Sequence, residues 1–193
     1  MIIGITGGSG SGKTTVLKAL NALGAVILDC DAIYHELLKT DTGLLTAIED
    51  RFPGTVENGV LQRKKLGQIV FADKSALEEL NRITHSAVKA EVEKHLREPL
   101  VAIDAIGLFE SGMDKLCDLT VAVTAPLEDR ISRLMARDGI TRDYALSRIH
   151  AQPTDAEFAT RCDHVLVNDD TEDAFLEKCL AFFQQWGIMK ENQ

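Results

Sequence analysis

The sequence predicts an α/β protein with a doubly wound parallel sheet. Short, almost wholly apolar runs alternate with longer stretches of helical apolar spacing, and a glycine-rich loop joins the first run to the first stretch. Runs of this length are typical of parallel strands that helices cover on both faces. We expect three parts: a core of residues 1–30, 99–125 and 154–193, a helical insertion of residues 31–98, and a short helical lid of residues 126–153.

The first strand, loop and helix predict a site for a nucleoside triphosphate. Residues 2–6 form an apolar run, and residues 13–23 follow with helical spacing. Between them, residues 7–14 read Gly-Gly-Ser-Gly-Ser-Gly-Lys-Thr, a complete G-x-x-x-x-G-K-[ST] phosphate-binding loop. A loop in this position aims backbone N–H groups and a helix N-terminus at a polyphosphate. The alternative, a glycine-rich turn that binds nothing, would not need every motif position and both flanks.

Four further apolar runs and a terminal helix complete the predicted core. The strand candidates are residues 25–28, 100–103, 119–123 and 165–167. Residues 171–187 close the pattern as a helix, with acidic residues in the first turn and a glycine as the stop.

The segment between the second and third strand candidates is long and predominantly helical in pattern. Apolar positions recur from Leu37 to Ile48 and again from Leu66 to Leu96. So many residues exceed what a single crossover helix needs. We interpret the segment as an inserted helical subdomain that binds the second substrate, with a purely structural insertion as the alternative.

Arginines are concentrated in the predicted lid. Five of the ten arginines lie in residues 130–148. Pro126 predicts the start of one helix, Asp138-Gly139 a break, and Thr141 the cap of a second helix. Such a pair could close over a nucleotide and neutralise the transferring phosphoryl group, or form a solvated basic surface. Three of these arginines should share one helical face: Arg130, Arg133 and Arg137.

Carboxylates follow two of the strand candidates. Strand alternation places Asp29 and Asp31 on the same side at the carboxyl end of the second strand, where the ligand crevice of a doubly wound fold lies. Either could accept a hydroxyl proton or hold a metal-bound water, or Asp31 could simply cap the next helix. Asp104 could act on Mg²⁺ as a Walker-B-like carboxylate. Residues 104–107 also match the D-x-x-G pattern of GTPases, but residues 167–170 lack the lysine of the guanine-reading N-K-x-D motif.

Composition excludes several classes of partner. The net charge of −9 argues against broad binding to nucleic acids or membrane surfaces, because both are polyanions. No apolar run approaches the roughly 20 residues that span a bilayer, and the first run leads directly into the loop rather than to a signal-peptide cleavage site. The cysteines are scattered without metal-ligand spacing, which predicts reduced thiols in a cytoplasmic protein.

Nine short segments follow one another along nearly the whole chain: residues 4–14, 23–31, 61–63, 71–73, 80–85, 108–110, 137–142, 151–152 and 162–168. In this order they resemble the dephospho-CoA kinase family. That resemblance implies a P-loop kinase core with a CoA-binding insertion and a lid. It also implies ATP-dependent phosphorylation of the ribose 3′-hydroxyl of dephospho-CoA, the last step of coenzyme A synthesis, with Mg²⁺ as cofactor. Oligomeric state is left open, a monomer included.

The resemblance also implies residue roles. Asp31 becomes the expected base, Lys13 reaches the β- and γ-phosphates, and Thr14 is the expected Mg²⁺ ligand. Arg137 and Arg142 are expected to contact ATP phosphates as catalytic residues. The expected ATP-binding residues are Gly8, Ser9, Gly10, Ser11, Gly12, Lys13, Thr14, Thr15 and Asn168. The expected residues for dephospho-CoA are Asp29, Asp31, Arg63, His85 and Leu108.

The chain departs from the family pattern at a few positions. Ser86 replaces the proline after the family's histidine, Cys30 replaces the alanine of D-A-D, and Gly107 can alter the acceptor pocket.

Two other functions remain as alternatives. A uridine-kinase-like nucleoside kinase shares the loop but not the D-x-D, lid and His85 segments. A regulatory nucleotide-binding module is disfavoured by the absent guanine motif and by the arginine-rich lid.

Overall fold

The computed structural model describes residues 1–188, so residues 189–193 of the predicted core lie outside the described residues. The chain forms two compact units. The first unit consists of Met1–Leu28, Glu98–Leu108 and the chain from Gly112 onward, and the second of Asp29–Arg97 with Phe109–Ser111.

The strands lie in two sheets. Among the described residues they are β1 (Ile2–Thr6), β2 (Val26–Asp29), β3 (Val56–Glu57), β4 (Val60–Leu61), β5 (Val101–Asp104), β6 (Leu119–Thr124) and β7 (His164–Val167). The larger sheet has the order β2-β5-β1-β6-β7. Its central strand β1 pairs in parallel with β5 and β6, and β6 pairs in parallel with β7. The chain therefore winds outward from β1 in both directions, and the predicted fold class is confirmed, with each predicted strand displaced by at most one residue.

The helices of the described residues surround this sheet or build the second unit. They are α1 (Lys13–Ala22), α2 (Cys30–Thr40), α3 (Thr42–Arg51), α4 (Arg63–Val70), α5 (Lys74–Glu93), α6 (Leu127–Asp138), α7 (Arg142–His150), α8 (Asp155–Arg161) and α9 (Glu172–Gln185). None of them is long and apolar enough to cross a membrane. Many begin at a side chain that accepts an otherwise unpaired first-turn N–H. These caps are Asp29, Asp41, Asp73, Thr141, Thr154 and Thr171.

The apolar core of the first unit holds α1 and α9 against the sheet. Ile3 and Ile5 of β1 are fully buried, and they share one cluster with Leu20 of α1 and with Phe175 and Phe183 of α9. Each fully buried side chain of this size stabilises the fold by about 1.5–3 kcal/mol. This packing holds the end of β1 and the start of α1 in place, and the loop of residues 7–14 joins them.

The helices α6 and α7 form a hairpin with a small core of its own. Ile131, Leu134, Ala145 and Ile149 are buried together between the two helices. Gly139 ends α6 with φ 64°, the left-handed conformation that glycine adopts without strain, and Thr141 caps α7. The predicted helix, glycine break and second helix are thus confirmed.

The second unit is mostly helical but contains a hairpin that the sequence analysis did not predict. β3 and β4 pair antiparallel around Asn58 and Gly59, whose φ values are 51° and 74°. Both positive φ values fit the Asn-Gly dipeptide of a two-residue hairpin turn. The carboxylate of Glu49 accepts N–H bonds of 2.6 Å from Gly54 and Val56, and so ties the hairpin to α3.

Candidate functional site

Glycine is required at two positions of the loop of residues 7–14. Gly10 has φ 77° and Gly12 has φ 102°, both in the left-handed region. A Cβ at Gly10 would lie 2.7 Å from the carbonyl oxygen of Arg130, and one at Gly12 would lie 2.0 Å from Nδ2 of Asn168. The loop therefore combines unusual backbone angles with very close packing against its neighbours.

The N-terminus of α1 is open towards a ligand. Gly12 occupies the cap position, and within the described part of the chain no side chain caps the helix. The first turn contains no acidic residue. The positive end of the helix dipole therefore faces the space next to the loop, and this favours an anion.

Three consecutive carbonyl oxygens of the loop are held by side-chain donors. Nε of Arg130 donates to the oxygen of Ser9 at 3.0 Å, and Nη1 of Arg133 donates to that of Gly10 at 3.2 Å. The next bond in this row, 2.9 Å long, runs from Nδ2 of Asn168 to the oxygen of Ser11. In a trans peptide the C=O and the following N–H point in opposite directions. The N–H groups that follow these carbonyls therefore point away from the side-chain donors, and that of Ser11 donates to the carbonyl oxygen of Gly8 at 3.2 Å.

Asn168 and two of the lid arginines thus lie behind the loop. We expected Asn168 to bind ATP and Arg130 and Arg133 to share a cationic face with Arg137. Arg130 is only 4% exposed, and its Nη1 also donates to Asp155 at 2.9 Å. Arg130 and Arg133 thus reach neighbouring loop carbonyls from one face of α6, as the spacing predicted, and the alternative of a solvated basic surface is wrong for the buried Arg130.

Ser9 receives a second set of bonds from Gln152. The Ser9 N–H donates to Oε1 of Gln152 at 2.7 Å, and Nε2 of Gln152 donates to Oγ of Ser9 at 2.9 Å. Sequence analysis placed Gln152 only within a segment of family resemblance and assigned it no role. The contacts of Arg130, Asp155 and Gln152 were all missed, because they join residues far apart in sequence and no local pattern signals them.

Two further residues expected to bind the nucleotide or Mg²⁺, Lys13 and Thr14, lie at the end of the loop and the start of α1. Nζ of Lys13 donates to the carbonyl oxygen of Gly7 at 2.9 Å, and Thr14 is exposed in the first turn of α1 while Thr15 is buried. Within residues 1–188 no group of three or more His, Cys, Asp or Glu could hold a metal. Mg²⁺ commonly takes one or two protein oxygens and fills its shell with waters and substrate phosphates. The Thr14 hydroxyl fits that donor set.

The two expected catalytic arginines pair with carboxylates. Arg137 donates to Asp138 at 2.7 and 3.0 Å, and Arg142 donates to both oxygens of Glu128 at 2.7 Å. Hydrogen bonds from Arg137, and then from Arg148, lower the pKa of Asp138 to about 2. Both arginine side chains are more than half exposed to solvent, so exchange of these carboxylates for phosphate oxygens would cost little.

The structure corrects the placement of the D-x-D carboxylates. β2 ends at Asp29 and α2 begins at Cys30, so strand alternation does not extend to Asp31. Oδ1 of Asp29 accepts the N–H of Ala32 at 2.9 Å and caps α2. The capping alternative for Asp31 is therefore wrong: Asp31 is exposed in the first helical turn, and Asp29 is the cap.

The second unit contains four of the five residues expected to bind the acceptor, and Arg63 and His85 lie in its helices α4 and α5. Arg63, exposed at the start of α4, has Nη2 3.3 Å from Nδ1 of His35. His85 is half-buried in α5, and burial lowers its pKa although the backbone and charge of Glu110 act in the opposite direction. Burial likewise raises the pKa of Tyr34, against the charge of Arg63. A cation and ionisable rings are thus present on this unit.

Leu108 is placed differently from the other expected residues. Its side chain is 0% exposed, and a Cβ at Gly4 would meet it at 2.8 Å. Leu108 therefore packs against β1 in the core of the first unit, and in this conformation its side chain has no surface to offer a substrate.

The parallel sheet, the open glycine loop and the helix that follows it define a P-loop kinase core. Shikimate kinase from Bacteroides thetaiotaomicron has a similar structure, with a TM-score of 0.54 and 18% identity over 96% of this chain and 97% of that one. At this identity the likeness shows the fold alone.

Sequence comparison narrows the class to one family. The sequence profile of dephospho-CoA kinases matches residues 1–173. A dephospho-CoA kinase from Carboxydothermus hydrogenoformans is 37% identical over 193 aligned residues, which cover 96% of this chain and 94% of that protein. The crystal structure of TT1252 from Thermus thermophilus has a TM-score of 0.82 and 35% identity, covering 96% of this chain and 97% of that one. The chain belongs to the dephospho-CoA kinase family.

Proposed function

We propose that this chain transfers the γ-phosphoryl group of ATP to the ribose 3′-hydroxyl of dephospho-CoA, giving coenzyme A and ADP. The observation that carries the proposal is the row of anchored carbonyls behind an open loop, in a chain of this family. Phosphoryl transfer depends mainly on positioning and charge stabilisation, and both are properties of this loop.

The loop and α1 bind the ATP phosphates in this proposal. The N–H groups of the loop and of the first turn of α1 hold phosphate oxygens, and Lys13 moves from Gly7 to the β- and γ-phosphates. Thr14 would hold Mg²⁺, whose charge offsets the negative charge of the transferring group. Asn168 contributes to nucleotide binding by holding the loop backbone.

Asp31 is the proposed base for the ribose hydroxyl. Since Asp29 supplies the cap of α2, the exposed carboxylate of Asp31 is not needed for capping. A carboxylate at hydrogen-bond distance from the 3′-hydroxyl would orient it and accept its proton, an effect worth about 10²–10⁴-fold in rate. Arg63 and His85 bind other parts of the acceptor.

Arg137 and Arg142 act on the phosphates in the same proposal. On nucleotide binding they exchange Asp138 and Glu128 for phosphate oxygens, and the α6–α7 hairpin covers the nucleotide. Covering the site excludes water and so prevents wasteful ATP hydrolysis.

A coupled assay of ADP release tests the proposal. Mg-ATP is supplied with dephospho-CoA, with uridine or without acceptor, and the products are weighed by mass spectrometry. The expected result is ADP release that requires dephospho-CoA and yields a product heavier by one phosphate. Turnover with uridine alone would favour a nucleoside kinase, and binding of ATP without acceptor-dependent turnover would favour a regulatory module.

A further inference from the structure

Every polar group of Ser9 is engaged by side chains that come from distant parts of the chain. Its N–H and hydroxyl bind Gln152 at 2.7 and 2.9 Å, and its carbonyl oxygen binds Arg130 at 3.0 Å. The contact with Gln152 is bidentate, with one donor and one acceptor on each side. A pair of bonds of this kind fixes both the position and the orientation of the peptide.

Gln152 is itself fixed by the α6–α7 hairpin. Its N–H donates to the carbonyl oxygen of Ile149 at 3.2 Å, which prolongs the last turn of α7 by one step. Ile149 is buried in the small core between the two helices, together with Ile131 and Leu134. The backbone of Gln152 is therefore tied to the hairpin, and the same hairpin carries Arg137 and Arg142.

We propose that Gln152 is a positioning residue for phosphoryl transfer. Acting through Ser9, it fixes the first half of the loop relative to the helices that carry Arg137 and Arg142. This inference rests on the proposed function. A misplacement of about 1 Å in such a constellation can lower the rate by about 100-fold.

Nucleotide binding and turnover should respond differently when the pair of hydrogen bonds between Gln152 and Ser9 (the Gln152–Ser9 clamp) is lost. The second half of the loop has its own support, because Asn168 holds Ser11 and the start of α1 is part of the packed core. Loss of Gln152 should therefore leave the affinity of the loop and α1 for a nucleotide nearly unchanged. It should free the segment around Ser9 to move and so lower kcat.

The test compares Gln152→Ala, Ser9→Ala and Gln152→Glu with Gln184→Ala, an exposed glutamine of α9 that serves as the control. In Gln152→Ala, kcat should fall about 10- to 100-fold while the Kd for ADP and the KM for ATP change less than about threefold. The kcat of Ser9→Ala should fall less than that of Gln152→Ala, because the N–H of residue 9 still donates to Oε1 of Gln152. Gln152→Glu should recover most of kcat, since one carboxylate can accept both the N–H and the hydroxyl of Ser9, but its charge should raise the KM for ATP.

Two results would overturn the inference. One is a kcat of Gln152→Ala equal to that of the control. The other is a loss of activity proportional to a loss of ADP-binding sites counted by calorimetry, which would mean that Gln152 only supports folding.

Amide hydrogen exchange at Ser9 supplies a readout that needs no acceptor. Its protection should fall in Gln152→Ala and remain in the control variant. If the wild-type chain shows no turnover with dephospho-CoA, the proposed function fails. The hydrogen-exchange protection of Ser9 then remains the test of whether Gln152 positions the loop. Unchanged protection would overturn that inference.

Discussion

Replacement of Arg130 by methionine tests whether a buried charge behind the loop supports nucleotide binding. The change keeps a long side chain of similar reach but removes the donors to Ser9 and Asp155. It also removes a positive charge one hydrogen bond away from the loop backbone. Asp155→Asn makes the opposite electrostatic change, since it leaves the guanidinium and its bond to Ser9 in place.

The structure sets the size of the expected effects. Leaving the buried carbonyl of Ser9 without its donor costs about 1–3 kcal/mol. Asp155 is 36% exposed on its side chain and can return to water, so it adds little. For a protein of this size, a loss of about 2 kcal/mol lowers Tm by about 4–8 °C. The missing charge affects ATP binding separately. For a guanidinium about 8 Å from a bound phosphate, with an effective dielectric constant of about 20, the attraction is about 2 kcal/mol, and the charge of Asp155 offsets part of it.

Calorimetric titration with ATP and thermal unfolding measure the two effects separately. We expect the Kd for ATP to rise about 10- to 50-fold in Arg130→Met, whereas Asp155→Asn should bind ATP at least as tightly as the wild type while losing stability. Arg82→Met removes an exposed arginine of α5 and serves as the matched control. A Kd within twofold of wild type in Arg130→Met, or equal losses of affinity in Arg130→Met and Asp155→Asn, would refute the reasoning.

Three further predictions concern the remaining groups. Asp31→Asn should lower kcat by about 10²–10⁴-fold and leave ATP affinity unchanged. Asp29→Ala should instead lower the free energy of unfolding by about 1 kcal/mol, because the cap of α2 is lost. Near-normal turnover of Asp31→Asn would exclude Asp31 as the base. Because burial lowers the pKa of His85, the unfolded chain takes up this proton first as pH falls below about 6.5. Stability should therefore decline in that range, and urea midpoints at pH 7 and 5.5 should show a smaller decline in His85→Gln than in the control His150→Gln. Chelation of Mg²⁺ should abolish turnover reversibly, and Thr14→Val should raise the Mg²⁺ concentration needed for half-maximal rate; an unchanged Mg²⁺ requirement would exclude the Thr14 hydroxyl as ligand.

Local patterns explain what could be predicted from the sequence. The five strands of the larger sheet, the phosphate loop and the Gly139 break were all found, because apolar runs and glycine motifs are properties of neighbouring residues. The capping alternative placed the N-cap of α2 two residues too late, at Asp31 instead of Asp29. The spacing of the D-x-D segment fits a continuing strand or a helix start equally well, and only the bond from Ala32 shows that Asp29 is the cap.

The missed features have two different causes. The hairpin at Asn58-Gly59 had a local signal, but the dominant helical spacing of residues 31–98 concealed it. The bonds of Arg130 and Gln152 to Ser9 had no local signal, since they cross 121 and 143 residues of sequence. Contacts of this length follow from the tertiary fold, which brings the α6–α7 hairpin beside the loop.

The most direct test of the account is the chemical position of the transferred phosphate. Wild-type protein is incubated with Mg-ATP and dephospho-CoA, and the isolated product is analysed by tandem mass spectrometry and by phosphorus–proton NMR correlation. The account predicts one added phosphate, coupled to the proton on the ribose 3′ carbon, and one ADP for each product molecule. A phosphate at another position, or ADP formed without a heavier product, would contradict it.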